Sequence, residues 1–195
     1  MRIFIALDID DVIRQRLGTF LEGVREFAPE ARWVRPESLH ITLKFIGEKS
    51  VETVEQIRRA LAGVQSPHFD VNFRGYGFFP TAKSARVFWV GVDSGPQLEA
   101  LAKAVDGATE KLGIPKEDHA FSPHLTLARR GGGSGTPRRQ KGDAPNLGFR
   151  RLQEKLAALP PLEFGTMTAR EFFLYQSQLM RGGSRYTKIA RFSSA

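Results

Sequence analysis

One six-residue frame occurs twice in this chain and restricts how it can fold: Ser38-Leu39-His40-Ile41-Thr42-Leu43 and Ser122-Pro123-His124-Leu125-Thr126-Leu127. Both copies alternate apolar and polar residues, the period of a strand with one buried face. In the first, Leu39, Ile41, Leu43 and Phe45 share one face, and His40, Thr42 and Lys44 share the other. In the second, Leu125 and Leu127 oppose His124 and Thr126. Two strands of equal parity that bury their leucines must both show their His–Thr pairs on the opposite side. A shared cleft is the expected result, and the half-chain spacing of the copies points to an internal duplication.

The rest of the chain supplies strands and helices in mixed order. Arg2 to Leu7 is predicted as an opening strand. Asp8, Asp10 and Asp11 are candidate N-cap and first-turn acids for a helix to about Phe27. Its apolar positions are Val12, Ile13, Leu17, Phe20, Leu21 and Val24, and Pro29 and Pro36 mark the loop that follows. Helices are also expected over Val51–Val64, from Ser94 to near Gly113, and over Leu147–Leu159. Strands are expected over Phe69–Phe79, Arg86–Asp93, Leu162–Arg170, Glu171–Ser177 and Arg185–Phe192. Hairpin-like connections among them argue for an α+β class with mostly antiparallel sheets rather than a doubly wound fold. Gly131 to Pro145, rich in Gly and Arg, reads as a mobile loop.

Composition narrows the function. The chain has no cysteine, which excludes disulfides, thiolate chemistry and Cys-ligated zinc, and which fits a reducing compartment. The opening apolar run is too short for a signal peptide, and no stretch approaches membrane-spanning length. A cytoplasmic protein without membrane association is expected. The formal net charge of +8 favours anionic partners. Arg129, Arg130, Arg138, Arg139 and Lys141 lie in an acid-free stretch beside the second motif.

Of the four histidines in the chain, two share the repeated frame. Imidazole is suited to proton transfer near neutral pH. One ring can take a proton from water while the other gives one to a leaving oxygen. Thr42 and Thr126, on the same faces, can donate to the non-bridging oxygens of a phosphate held between the rings. A cyclic phosphodiester suits this layout, and neither metal nor cofactor is required. His68 and His119 lack the frame and read as surface or loop residues.

The segments Leu39-His40-Ile41-Thr42-Leu43-Lys44-Phe45-Ile46-Gly47 and Phe121 to Arg129 closely resemble the two signatures of the two-histidine (2H) phosphoesterases. Within them the chain is most similar to the RNA 2′,3′-cyclic phosphodiesterases, also called 2′-5′ RNA ligase-like proteins. The likeness extends to Arg2–Leu7, Trp33 and Pro36, Gly75–Pro80, Ser177–Leu179 and Gly183–Tyr186. It implies one bilobal LigT-like domain over residues 1–195, with two mostly antiparallel sheets flanking a central cleft and helices outside. It also implies a monomer that opens terminal 2′,3′-cyclic phosphates of RNA to 2′-phosphates, with reverse 2′-5′ ligation possible. By the same resemblance His40 is the acid, His124 the base, and Thr42 and Thr126 hold the phosphate.

The family pattern places its arginine at Arg129, whereas strict alternation from His124 favours Arg130; both are candidate phosphate ligands. Lys44 is placed at the cleft or its rim and Phe45 in the core. Phe78, Phe79 and Tyr186 are candidate base-stacking residues, against a competing reading of ordinary packing. Trp33 and Trp89 are assigned to packing. Two other functions stay open at this point. One is a non-catalytic RNA- or nucleotide-binding module. The other is a 2H enzyme for a different cyclic phosphate or a 2′-5′ oligonucleotide.

Overall fold

The computed structural model describes residues 1–65, 67–131, 147–180 and 183–193. In order, these are β1 (Arg2–Asp8), α1 (Asp11–Val24), β2 (Arg32–Trp33), β3 (His40–Glu48), α2 (Val51–Leu61), β4 (Phe69–Phe79), β5 (Val87–Asp93), α3 (Pro96–Glu110), β6 (His124–Arg129), α4 (Leu147–Ala157), β7 (Glu163–Ala169), β8 (Glu171–Met180) and β9 (Gly183–Ser193). The Gly/Arg-rich loop lies outside the described residues apart from Gly131.

The strands run β7-β4-β5-β6-β3-β1-β8-β9, with β2 added against the end of β6. The two expected sheets are two four-stranded antiparallel halves of this path. They meet at one residue pair, Ile41 with Leu125. The halves interleave in sequence: β8 and β9 pair beside β1 rather than beside β7. Strands from both ends of the chain therefore build the half that carries His40.

One face of the sheet lies under the helices. Ile3, Ile5 and Leu7 of β1, Ile41 and Leu43 of β3, Phe88 and Val90 of β5, and Leu125 and Leu127 of β6 enter one core there. Ile13, Leu17, Leu21 and Val24 line the buried stripe of α1. Val12, although counted among its apolar positions, is exposed. Asp10 caps this helix by accepting from the Ile13 N–H at 2.8 Å, the expected task for an acid at that position. The α-helix stops at Val24 and a 3-10 turn, Arg25–Phe27, completes the predicted length. The opposite face of the sheet holds a smaller cluster of Phe4, Ala6, Phe173 and Tyr175, with Tyr186 against it. The two motif histidines belong to that second face.

Candidate active site

The pairing of Ile41 with Leu125 sets the geometry. Continued by one residue each way, this register puts His40 across from Thr126 and Thr42 across from His124. The two imidazoles occupy one diagonal of a square and the two hydroxyls the other. With strand spacing and rise at their usual values, the histidine Cα atoms lie about 8 Å apart, which leaves room for a tetrahedral phosphate between the rings. Among the described residues neither threonine hydroxyl has a protein hydrogen-bond partner. Both remain available to a ligand.

Each motif strand carries a bulge just past its threonine. On β3, Thr42 pairs with Ala6 and Lys44 with Ile5, so Leu43 is the extra residue. On β6, Thr126 pairs with Trp89 and Ala128 with Phe88, so Leu127 is the extra residue. A bulge reverses the side-chain parity beyond it, and three expectations change. Lys44 does not face the cleft: it is 2 % exposed, paired to Asp106 of α3, and bonded to the Pro115 carbonyl at 2.8 Å. Phe45 is not core but 48 % exposed on the histidine side, with the Arg2 guanidinium 5.1 Å from its ring. Ala128 turns into the core, which puts Arg129 rather than Arg130 on the face of His124 and Thr126. The charge of Arg129 bears on both imidazoles.

The rings are held alike. His40 Nδ1 lies 2.7 Å from the Ser38 carbonyl, and His124 Nδ1 lies 2.7 Å from the Ser122 carbonyl. A carbonyl only accepts, so each Nδ1 donates and each Nε2 is left for chemistry. Arg14 steadies the approach to His40, bonding the Pro36 carbonyl and Asp8 at 2.6 Å each. Burial, the largest cause, pushes His40 down to about 4, with Arg129 adding to the effect. Burial, again with Arg129, also lowers His124.

The half-sites differ in their neighbours. Across the ladder from His40 stands Asp8; across from His124 stands Gly91. Burial opposes the charge on Asp8, but bonds from Lys188 and Arg14 outweigh it and keep the carboxyl below its usual range. Around His40 the Phe4, Tyr175 and Tyr186 rings lie at 4.8, 6.2 and 5.1 Å. Around His124, Phe79 stands edge-on at 5.0 Å and Trp89 lies at 6.4 Å. Tyr186 and Phe79 thus stand edge-on to opposite histidines. Phe78 instead stacks on the core residue Phe88. Trp33 packs as expected, its Nε1 donating to the Ala28 carbonyl at 3.0 Å. Trp89 packs too, but beside the site. The sequence signal for that was its place in a strand facing Thr126, visible only once the register is known.

A cavity of about 370 Å³ opens beside His40, lined by Asp8, Glu37, Tyr175, Tyr186 and Lys188 among others. His68 and His119 are exposed. Among the described residues no three His, Asp or Glu side chains group to hold a metal ion, and no helix is long and apolar enough to cross a membrane.

Comparison with known proteins finds the same pattern. The family described as LigT like Phosphoesterase matches twice, over residues 7–89 and 90–186, one histidine motif in each. An Archaeoglobus fulgidus protein named RNA 2′,3′-cyclic phosphodiesterase is 33 % identical over 192 residues, 98 % of this chain and 99 % of that one. One of the same name from Methanothermobacter thermautotrophicus is 30 % identical, with 98 % of each chain covered. The crystal structure of E. coli LigT complexed with 3′-AMP superimposes with a TM-score of 0.76 at 26 % identity, covering 99 % of this chain and 97 % of that one.

Proposed function

This chain belongs to the LigT-like phosphoesterase family, and from that premise we propose that it is an RNA 2′,3′-cyclic phosphodiesterase. The observation that carries the reading is the square of two imidazoles and two threonine hydroxyls, with both Nδ1 atoms tied back and, among the described residues, no partner on either Nε2.

His124 Nε2 takes a proton from water, and the water oxygen attacks phosphorus opposite the ribose 3′-oxygen. The P–O3′ bond breaks, and His40 Nε2–H delivers its proton to that oxygen. The products are a 3′-hydroxyl and a 2′-phosphate. Thr42, Thr126 and Arg129 donate to the non-bridging oxygens, where charge gathers in the transition state. Exposed Phe45 and the rings of Phe79 and Tyr186 offer apolar surface to the nucleoside.

Both imidazoles are held below 6.5, so both are neutral near pH 7 in the free protein. An anionic phosphate between them offsets Arg129 and favours a proton on the acid. Substrate binding is therefore coupled to proton uptake. A 5′-hydroxyl in place of water gives the reverse joining through a 2′-5′ linkage; in water, hydrolysis prevails. Residues 1–195 act as one bilobal unit, and a monomer in the cytoplasm suffices because both half-sites come from one chain.

The test is product analysis on an RNA ending in 2′,3′-cyclic phosphate. A 2′-phosphate is expected, and His40→Ala and His124→Ala should each lose about 10²–10⁴-fold in rate while keeping the native circular dichroism. Undiminished turnover by either variant, or a 3′-phosphate product, would sink the reading.

A further inference from the structure

Arg32 and Arg129 are direct partners across the β2–β6 ladder. Like charges placed directly opposite one another on neighbouring strands repel. Their parity puts them on one side of the sheet. Trp33, next to Arg32, turns inward against Phe88, and Ala128, next to Arg129, is buried. Both arginines are exposed, and among the described residues neither has a carboxylate partner. Three other exposed arginines do have one: Arg58 with Glu55 at 2.8 Å, and Arg74 with Asp93 and Arg191 with Glu171 at 2.6 Å each; Arg59 and Arg170, which lack one among the described residues, do not face a second arginine across a ladder. An unneutralised pair in direct register is a cost to the fold unless an anion shares it.

The position of the pair says which anion. Arg129 lies on the sheet face of His124 and Thr126, two residues past the bulge, and its charge bears on both imidazoles. Arg32 stands one strand away, past the His40 end of the His–Thr square. It stands level with Arg129 on the neighbouring strand; with the scissile phosphate held by the two threonines and Arg129, Arg32 is placed for the next phosphate along the chain. Guanidinium forks match phosphate oxygens in geometry as well as charge. We propose that Arg32, paired with Arg129, forms a second phosphate site, which takes the phosphodiester one nucleotide away from the scissile one. This rests on the hydrolytic reading above. It makes the protein a reader of polynucleotide ends rather than of cyclic mononucleotides.

The experiment compares three substrates under one buffer: a nucleoside 2′,3′-cyclic phosphate, the same compound with a 5′-phosphate, and a dinucleotide ending in the cyclic phosphate. Wild-type protein should show a KM about tenfold lower for the two that carry a second phosphate. Arg32→Gln should erase that advantage and leave the simple cyclic nucleotide unaffected; Arg32→Lys should retain part of it. The dependence of log(kcat/KM) on log[salt] for the dinucleotide should flatten in Arg32→Gln by about 0.7, one phosphate contact on a single strand. The melting temperature of Arg32→Gln should hold or rise, since a repulsion is relieved. Equal KM values for the three substrates in the wild type would overturn the second site while leaving the hydrolase reading intact. So would an Arg32→Gln loss that is equal on all three. Gain with the dinucleotide but not the 5′-phosphate confirms the site and assigns it to the internucleotide diester. No turnover of any substrate removes both readings.

Discussion

Replacing Lys44 tests the bulge directly. Its ammonium is 2 % exposed and is shared between the Asp106 carboxylate and the Pro115 carbonyl. It ties the first motif strand to α3 and to the segment that delivers the second motif. Removing one partner of a buried pair typically costs about 3–5 kcal/mol. Asp106 remains 20 % exposed and can recover some hydration, so Lys44→Met, which keeps the stem, should cost about 2–3 kcal/mol. For a chain of this length that corresponds to a fall of roughly 5–10 °C in melting temperature. The double variant Lys44→Met/Asp106→Leu replaces the pair by apolar packing and should recover most of the loss. Thermal unfolding followed by circular dichroism reads both. A Lys44→Met protein that melts with the wild type would place the lysine in solvent, as unbroken strand alternation has it, and would refute the bulge argument. A double variant that merely sums two losses would refute the pairing.

Four further outcomes are expected. The pH profile of kcat/KM should be a bell lying acid of 6.5, falling toward about pH 4, where both rings carry protons and no base is left, and falling again at higher pH, where neither has a proton to give. Arg129→Ala removes a charge that lowers both rings, so both limbs should move to higher pH; limbs that stay put would exclude Arg129 from the site. Folding stability should decline as pH drops from 6.5 to about 4, because unfolded His40 binds a proton that the folded ring refuses. Denaturant titrations across that range should show a shallower decline in His40→Gln. Finally, a Cβ on Gly77 would come within 2.1 Å of the Trp89 ring. Gly77→Ala should therefore destabilise by about 1–3 kcal/mol and slow turnover by displacing Trp89 toward His124, with Trp89→Phe in the same background restoring the fit.

The His–Thr square was legible because His40, Thr42, His124 and Thr126 all precede the bulges, where simple alternation still holds. Lys44 and Phe45 were misplaced because they follow one. Nothing in Leu43 or Leu127 marks it as the extra residue; the partner strands decide that. The same device turns Arg129, not Arg130, to the face of His124. Elements with a local period, such as α1 and β4, were readable from their own residues. Arg32–Trp33 was not, since two residues have no period and become a strand only against β6. The neighbours that distinguish the half-sites, Asp8 and Gly91, belong to other strands and were equally hidden.

The twin carbonyl bonds bear on what the protein is left holding after each turnover. In the hydrolysis proposed above, His40 surrenders a proton and His124 acquires one, so the pair ends as the mirror image of how it began. Because the Ser38 and Ser122 carbonyls grip the two rings at the same 2.7 Å, either arrangement is housed without reorientation. Resetting for another hydrolysis is then a matter of exchanging protons with solvent. Until that exchange occurs, the spent form is already loaded for the opposite direction, with a base where the acid stood and an acid where the base stood.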